Sequence, residues 1–216
     1  MPYAAGTVRD IPVRGLKLCG LTWSGTFLWC SEAVQNLIMA VDPASGEVAR
    51  RLPCRDVRTD LTTLGGYLVQ VAGPHGVLRV LDPHSGEVVG ELPNPRPGAV
   101  LCGLEATRHG LWLGYGDLRR IDLRGVDDLR LVDSFPVRHA VAGVTVSDGY
   151  LAYADQRAGT INLLDLDRGR DVASVSVPGN PTGIAWDGSL IWYCDHATFQ
   201  LRAIEVPGIA RAERAP

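Results

Sequence analysis

Apolar and polar residues alternate along most of the chain in short segments that turn residues separate. Over Gly20–Pro53 this alternation predicts four strands, with clusters of Gly, Pro, Ser and Asp at the turns. The same pattern starts again at Asp60, Gly103, Gly143 and Gly183, at intervals of 40, 43, 40 and 40 residues. Five copies of about this length, each with four strands, predict an all-β, five-bladed β-propeller with antiparallel blades.

The repeat also sets the expected blade boundaries within one domain. The fifth copy stops after three strands, whereas residues 7–13 match the fourth-strand segments GEVARRLPC and GEVVGELPN of earlier copies. We therefore expect the N-terminal strand to complete the last blade, which closes the ring and covers its open edges. The domain predicted over 1–216 has blades at about 16–51, 57–92, 101–135, 141–177 and 182–206.

Acidic residues are predicted to end the third strand of every copy. They follow one another at 40, 40, 43 and 40 residues, close to the period of the repeat. These residues are Asp42, Asp82, Asp122, Asp165 and Glu205.

Composition narrows the class of partner. The formal net charge is −3, which argues against nucleic acid or an anionic membrane surface as the main partner. The N-terminal residues lack the basic and apolar regions of a signal peptide, and no apolar run approaches the roughly 20 residues of a membrane span.

The cysteine count, five, is odd, and no CxxC pair is present, so we expect reduced thiols in a cytoplasmic protein. A monomer is the simplest expectation, because a closed ring removes one reason to dimerise.

Three charged residues break the repeat near the predicted axis, which the first strand of each blade lines. Asp60 stands where the other four copies have glycine. Arg58, two positions earlier, replaces an apolar residue, and Glu105, two positions after the glycine of its own copy, replaces threonine or alanine. A charged cluster of this kind favours a functional site at the axis, and an ion-paired, water-filled tunnel is the structural alternative.

The position just before the axial glycine holds two thiols among its five residues. Cys19 and Cys102 are candidates for a nucleophile or a soft-metal site, and small buried residues are the structural alternative. Cys54, beside Arg55, is the thiol that we expect to be exposed and reactive. The five residues of this ring are Cys19, Thr59, Cys102, Ala142 and Thr182.

The loops at one end of the predicted ring hold the remaining candidates. Three histidines from three blades have the residue type for a divalent metal site or for a general base near neutral pH. No HxH, HExxH, GxSxG or glycine-rich phosphate motif is present. The loop candidates are His75, Tyr115, Arg138, His139, Asp195 and His196.

Several segments resemble known propeller families. NPTGIAWDGSLIWYCD, CGLTWSGTFLWCSEA and the turns DPASGE and DPHSGE resemble blades of the virginiamycin B lyase group and of related sugar-lactonase-like propellers. The five-copy count resembles the glutaminyl cyclotransferases of the plant and bacterial type. The resemblance implies an axial site for a small molecule. It does not carry an activity, because the lyase group has seven blades, and the cyclotransferase Gln and acid correspond to Cys19 and Cys30 here.

Two hypotheses from different classes follow. The first is an enzyme of lyase, cyclase or hydrolase type, with acid–base residues at the mouth of the tunnel. Its catalytic residues would be Glu105 or His139 as base and His196, oriented by Asp195, as acid, together with Asp60. Its substrate-binding residues would be Arg58, as anchor for an anionic group, with His75, Tyr115, Arg138, Asp195, Cys19 and Cys102.

The second hypothesis is a non-catalytic propeller that binds a ligand or a protein, because no complete catalytic motif is present. A third uses Cys19 and Cys102 with a nearby histidine as a divalent or soft-metal site at the tunnel mouth. No other cofactor follows from the sequence. A pocket that holds Glu105, Arg58 and a histidine together would favour the enzyme.

Overall fold

The computed structural model of the protein describes residues 3–13, 17–147 and 149–206. The regular elements in these ranges are all β-strands, as the alternating pattern predicts. No helix long and apolar enough to cross a membrane occurs in them. Two N-terminal strands come first, β1 (Tyr3–Ala4) and β2 (Thr7–Pro12).

The remaining strands fall into five blades in chain order. Blade 1 contains β3 (Leu18–Trp23), β4 (Leu28–Glu32), β5 (Leu37–Val41) and β6 (Val48–Pro53). Blade 2 contains β7 (Val57–Leu64), β8 (Tyr67–Ala72), β9 (Val77–Leu81) and β10 (Val88–Leu92). Blade 3 contains β11 (Leu101–Thr107), β12 (Gly110–Tyr115), β13 (Arg120–Arg124) and β14 (Leu131–Pro136). Blade 4 contains β15 (Gly143–Ser147), β16 (Tyr150–Asp155), β17 (Thr160–Asp165) and β18 (Arg170–Ser176). Blade 5 contains β19 (Pro181–Trp186), β20 (Ile191–Asp195) and β21 (Gln200–Ile204).

The N-terminal strand closes the ring, as predicted. β2 pairs antiparallel with β21, so that Thr7 lies opposite Ile204 and Pro12 opposite Gln200. β1 adds a contact that the sequence did not predict, because it pairs in parallel with the outer strand of blade 4. The N-terminal segment therefore holds blades 4 and 5 together and covers the free edge of β18.

The turn between the third and fourth strands corrects one prediction. In blade 1 the backbone N–H of Asp42 donates to the carbonyl of Glu47 at 2.9 Å, and in blade 3 Gly125 donates to Arg130 at the same distance. Gly125 therefore corresponds to Asp42, and the prediction that Asp122 ends a third strand is wrong. Asp122 lies in the middle of β13. Its 40-residue spacing from Asp82 is a coincidence, because the three extra residues of the repeat precede blade 3.

Apolar side chains fill the space between neighbouring blades. Trp29, Trp112 and Trp192 occupy equivalent positions on the second strands of blades 1, 3 and 5, and all are buried. Large apolar surfaces removed from water in this way supply most of the stabilisation of a ring whose blades have no separate cores. The first strands pack directly on one another around the axis, and this packing positions the candidate site.

Candidate functional site

The carboxylate of Asp60 fills the centre of the ring. Its Oδ1 accepts the backbone N–H groups of Leu21 and Leu61, both at 3.1 Å. Its Oδ2 accepts those of Leu104 at 3.0 Å and Val144 at 3.5 Å. Donors therefore come from the first strands of blades 1, 2, 3 and 4. Complete burial raises the pKa of Asp60 well above its usual range, and the N–H donors oppose that shift.

The other four blades have glycine at this level because the neighbouring first strands pack too closely for a side chain. A Cβ added to Gly20 would lie 2.8 Å from the Cα of Asp60, and one added to Gly143 would lie 2.9 Å from the Cα of Gly183. Both distances are too short for real contacts. The axis is thus closed by the Asp60 side chain, and the predicted tunnel is divided into two separate ends.

A blind cavity of about 650 Å³ opens above Asp60, at the end of the ring where the second strands finish. We call this cavity the funnel. Thr59 Oγ1 donates to the carbonyl of Leu101 at 2.9 Å, and Thr182 Oγ1 donates to that of Leu18 at 3.3 Å, so floor hydroxyls join neighbouring blades. The funnel floor is the ring that the sequence singled out, Cys19, Thr59, Cys102, Ala142 and Thr182.

Four exposed basic side chains line the funnel, and each comes from a different blade or connecting segment. One of them, Arg58, donates from its guanidinium to the carbonyls of Pro74 at 2.5 Å and Gly73 at 3.3 Å, which holds it against the β8–β9 loop. The guanidinium has further N–H groups for a ligand. The four are Lys17, Arg58, Arg119 and Arg157.

The two carboxylates of the funnel lining are engaged with the backbone. Asp117 Oδ1 accepts the N–H of Val100 at 3.0 Å. Asp155 Oδ1 accepts the N–H groups of Arg157 and Ala158, both at 3.0 Å, and caps its loop. The described lining therefore holds four basic groups against two acidic ones, in a protein whose net charge is −3. A positive cavity of this kind focuses the electrostatic potential towards anions.

Arg119 occupies a backbone conformation that favours glycine. It is the last residue of the four-residue β12–β13 loop and has φ 47°. The equivalent residues of blades 2 and 4, Gly76 and Gly159, have φ 67° and 63°, and Asn36 and Phe199 have similar values. A non-glycine residue there costs on the order of 1 kcal/mol. Because Asn36 and Phe199 adopt the same conformation, it belongs to this type of loop and is not specific to Arg119.

Glu105 does not lie in the funnel. It lies on the opposite side of Asp60, where its Oε2 accepts the hydroxyl of Thr62 at 3.2 Å and its Oε1 accepts that of Thr145 at 3.4 Å. Burial raises the pKa of Glu105 to about 8. The expectation that Arg58 and Glu105 share a site is therefore corrected. When the first strands are aligned, Arg58 lies two residues before the axial position and Glu105 lies two residues after it. This separation of four residues corresponds to about 13 Å at 3.3 Å per residue.

The three predicted histidines do not converge. His196 lines the funnel, and its backbone N–H donates to the carbonyl of Asn180 at 3.0 Å. His139 lies outside the lining, with its Nδ1 3.7 Å from Asp155 Oδ2, and His75 is exposed on the β8–β9 loop. In residues 3–13, 17–147 and 149–206, no three His, Cys, Asp or Glu side chains are placed to hold a metal ion.

Tyr115 and Asp195 stabilise the blades and are not part of the funnel lining. Tyr115 is completely buried, and its hydroxyl donates to Asn94 Oδ1 at 3.4 Å. Asp195 is also buried, where its Oδ2 accepts Arg202 Nε at 2.9 Å and its Oδ1 accepts the N–H of Asn180 at 3.0 Å. Its other partners are the backbone of Ala197 and the hydroxyl of Thr198, so it caps its loop and does not orient His196. Their expected role in substrate binding is therefore corrected.

The funnel thiols are protonated at neutral pH. Burial raises the pKa of Cys19 to about 12 and that of Cys102 to about 11, so neither thiol is activated as a nucleophile. The expectation that Cys54 is exposed is wrong, because it is buried below the β6–β7 connection and burial raises its pKa. Cys102 is the most accessible of the five free cysteines.

Arg58 alone of the four basic residues of the funnel is among the candidates that the sequence suggests. Lys17 precedes the first strand of blade 1, outside the span compared between copies, and Arg119 lies at a loop end where the other copies have Asn36, Gly76, Gly159 and Phe199. No pattern across the copies marks Arg119, because two of its four counterparts are also residues other than glycine. Arg138, in contrast, lies in a separate groove between blades 3 and 4, with its backbone N–H on Asp171.

Comparison with known proteins supports the propeller fold. The chain matches no family model, and no curated protein matches its sequence. The crystal structure of Myxococcus xanthus glutaminyl cyclase superposes with a TM-score of 0.78 at 15% identity, over 95% of this chain and 98% of that chain. The β-propeller domain of Myceliophteria thermophila Cps50 (Swd1) gives 0.59 at 11% identity, over 94% and 99%. A streptogramin B lyase gives 0.54 at 15% identity, over 94% and 74%. The resemblance to lyase and cyclotransferase propellers is confirmed at the level of fold.

Proposed function

We propose that this protein is a small-molecule-binding propeller whose funnel takes a small anionic ligand, such as a carboxylate or a phosphate. The observation that carries the proposal is the charge of the lining. The four basic side chains of the funnel are exposed, whereas its two carboxylates are engaged by backbone N–H groups. A ligand with two or more acidic oxygens satisfies several of these cations at once.

The shape of the funnel suits a ligand of metabolite size. Its volume of about 650 Å³ lies within the range of ligand pockets. The floor is closed by Asp60 and by hydroxyl groups that already have backbone partners, so the ligand is held by the walls. The floor presents small side chains and protonated thiols, which favour an apolar part of the ligand below its acidic group.

Isothermal titration calorimetry with phosphate, succinate and citrate tests the proposal, with glucose as a neutral probe. At least one anion is expected to bind tenfold or more tightly than glucose, and high salt is expected to weaken it. Arg157→Gln is expected to lower the affinity about fivefold. Arg108→Gln removes an exposed charge from the β11–β12 turn at the other end of the ring and serves as the matched control. Equal losses in both variants would contradict an anion site in the funnel.

A second candidate function is acid–base turnover of the bound ligand, of lyase, cyclase or hydrolase type. Two observations favour it. The imidazole of His196 lines the funnel, and histidine is the side chain suited to proton transfer near neutral pH. The fold is also similar to that of a glutaminyl cyclase and of a streptogramin B lyase. In this reading Arg58 anchors the anionic group, and Glu105 takes no part.

Assays of N-terminal glutaminyl cyclisation and of streptogramin B opening test the second candidate. Turnover that His196→Ala abolishes and His75→Ala leaves intact is expected if the funnel is catalytic. Both histidines lie in loops between second and third strands, so the pair controls for loop perturbation. Binding of an anion without turnover of either substrate would favour the non-catalytic function.

A further inference from the structure

A second cavity lies between blades 3 and 4, outside the funnel. It has a volume of about 280 Å³ and is lined by Asn162 and Ser174 from blade 4 and by Arg138 and His139 from the connection that precedes it. Asn162 pairs directly with Ser174 across β17 and β18, so their side chains share one face of the blade. We call this cavity the blade 3/4 groove.

Two buried polar atoms line this groove without a partner. Asn162 is 1% exposed, and its Nδ2 donates to Thr160 Oγ1 at 3.2 Å, but its Oδ1 accepts no hydrogen bond. Ser174 Oγ is likewise buried and has no hydrogen bond. A buried acceptor without a donor costs on the order of 1–3 kcal/mol, so the groove is built for a group that donates.

The same position in other blades shows which donor this fold places there. Asn162 is the third residue of its strand, as are Arg79 in blade 2 and Arg202 in blade 5. Arg79 Nε donates to Glu91, directly opposite, at 2.6 Å. Arg202 Nη1 donates to Asp10, directly opposite, at 2.9 Å. In both blades a guanidinium at this level bonds to the facing fourth strand.

Blade 3 also has a guanidinium at this level, but the arginine that supplies it does not lie on the third strand. The third residue of β13 is Asp122, and its carboxylate is bound by the guanidinium of Arg96, with Nε to Oδ2 at 2.7 Å and Nη2 to Oδ1 at 3.0 Å. Ser134 Oγ, opposite, donates to Asp122 Oδ1 at 2.6 Å. Three of the five blades therefore hold a guanidinium at this level.

Blade 4 keeps the acceptors, but no guanidinium of the described residues bonds to them. Arg138 lines the groove, and its side chain makes no hydrogen bond to Asn162, Ser174 or Asp171. Asn162 is shorter than arginine, and Ser174 stands where blades 2 and 5 have an acid. The carboxylate of Asp171 also lines the groove, where it accepts the hydroxyl of Tyr153 and the backbone N–H of Arg138, both at 3.0 Å. Oδ1 of Asn162 and Oγ of Ser174 are buried, and together with this carboxylate they are the acceptors of the groove lining.

We propose that the blade 3/4 groove binds a guanidinium group from outside the chain. The group donates to Asn162 Oδ1 and Ser174 Oγ, and the Asp171 carboxylate supplies the opposite charge. Its source is either a small molecule that carries a guanidinium or an arginine side chain of another protein. The site is separate from the funnel and takes a ligand of the opposite charge.

Calorimetric titration with methylguanidinium chloride tests the proposal, with methylammonium chloride and sodium acetate at equal ionic strength as comparison probes. Methylguanidinium is expected to bind at least tenfold more tightly than either. L-Arginine and N-acetyl-L-arginine methylamide distinguish the sources, because tighter binding of the blocked form favours a protein side chain and tighter binding of the free amino acid favours a small molecule. Equal affinity for methylammonium, or preferential binding of acetate, would overturn the proposal.

A double substitution supplies the matched control. Asn162→Arg with Ser174→Asp rebuilds in blade 4 the pair that Arg202 and Asp10 form in blade 5. This variant is expected to lose methylguanidinium binding by tenfold or more and to melt at a higher temperature than the wild type. Asn162→Leu, which removes the acceptor without adding a cation, is expected to lose binding as well. Unchanged binding in either folded variant would overturn the proposal, as would binding that appears only in Arg138→Gln, since Arg138 would then fill the groove itself.

Discussion

The Oδ2 atom of Asp60 accepts the backbone N–H of Leu104 at 3.0 Å, and this bond joins the first strands of blades 2 and 3 at the centre of the ring. Further N–H donors from blades 1 and 4 converge on the same carboxylate. One carboxyl side chain thus lies at the axis, at the level where the other four blades have glycine. Asp60 stabilises the ring and separates the funnel from the opposite end of the axis.

Asp60→Gly is predicted to destabilise the fold although it matches the other four copies. The substitution leaves the buried N–H groups of Leu21 and Leu104 without an acceptor, at a cost on the order of 3 kcal/mol. Asp60→Asn is expected to cost less, because the amide keeps one oxygen that still accepts backbone N–H groups. Urea unfolding gives the free energies, and a glycine variant as stable as the wild type would contradict this role.

Glu105→Gln is predicted to remove part of the pH dependence of stability. The folded-state pKa of about 8 lies above the unfolded value near 4.3, so the folded state binds the proton more tightly. The contribution of Glu105 to stability is therefore fully present below about pH 4 and is lost as the pH rises towards 8. Allowing for the partial exposure of Glu105, the loss is on the order of 2 kcal/mol.

Free energies of unfolding measured at pH 5 and pH 8.5 test this prediction. The glutamine variant should be more stable than the wild type at pH 8.5 and should lose less stability between the two values. The slope that remains is expected to come mainly from Asp60, whose pKa burial also raises. A wild-type protein that becomes more stable with rising pH over this interval would contradict the assignment.

Arg119→Gly is predicted to separate binding from folding. Glycine adopts φ 47° without steric cost, so the variant should be at least as stable as the wild type. Loss of one basic side chain from the funnel is expected to weaken anion binding about fivefold. Phe199→Gly relieves the same backbone conformation in blade 5 without removing a charge, and its affinity should stay unchanged. Equal affinities in wild type and Arg119→Gly would remove this residue from the site.

Cys102 is predicted to be the first thiol that iodoacetamide modifies. It lines the funnel and is only partly buried, whereas the other four cysteines are buried. Its pKa of about 11 makes the reaction slow at pH 7.5 and faster at pH 9. Peptide mapping identifies the modified residue, and an anion bound in the funnel should protect it. First modification at Cys54 would contradict the burial described for that residue.

The repeat made the fold predictable, and the departures from it made part of the site predictable. Asp60 was recognised as exceptional because four glycines surround it in the alignment of copies. The alignment did not show depth along the axis, so Arg58 and Glu105 were assigned to one site although Asp60 lies between them. Tyr115 was placed in a loop because sequence alone does not show which side of the strand end a side chain faces.

The remaining differences have two causes, an insertion that shifts the repeat and strand pairing that the sequence does not show. Asp122 kept the 40-residue interval by coincidence, because a three-residue insertion before blade 3 shifts the true equivalent to Gly125. Nothing in the sequence marks Asn162, because an asparagine in a strand is not unusual. It becomes informative only when register places it level with Arg79 and Arg202. Such relationships depend on strand pairing, which the spacing of residues in the sequence does not determine.

A crystal structure of the protein with the tightest-binding anion of the panel tests the central claim most directly. The account predicts density for the anion in the funnel above Asp60, with its acidic oxygens within hydrogen-bond distance of at least two of Arg58, Arg119 and Arg157. An anion bound at any other surface, with the funnel holding only solvent, would contradict it.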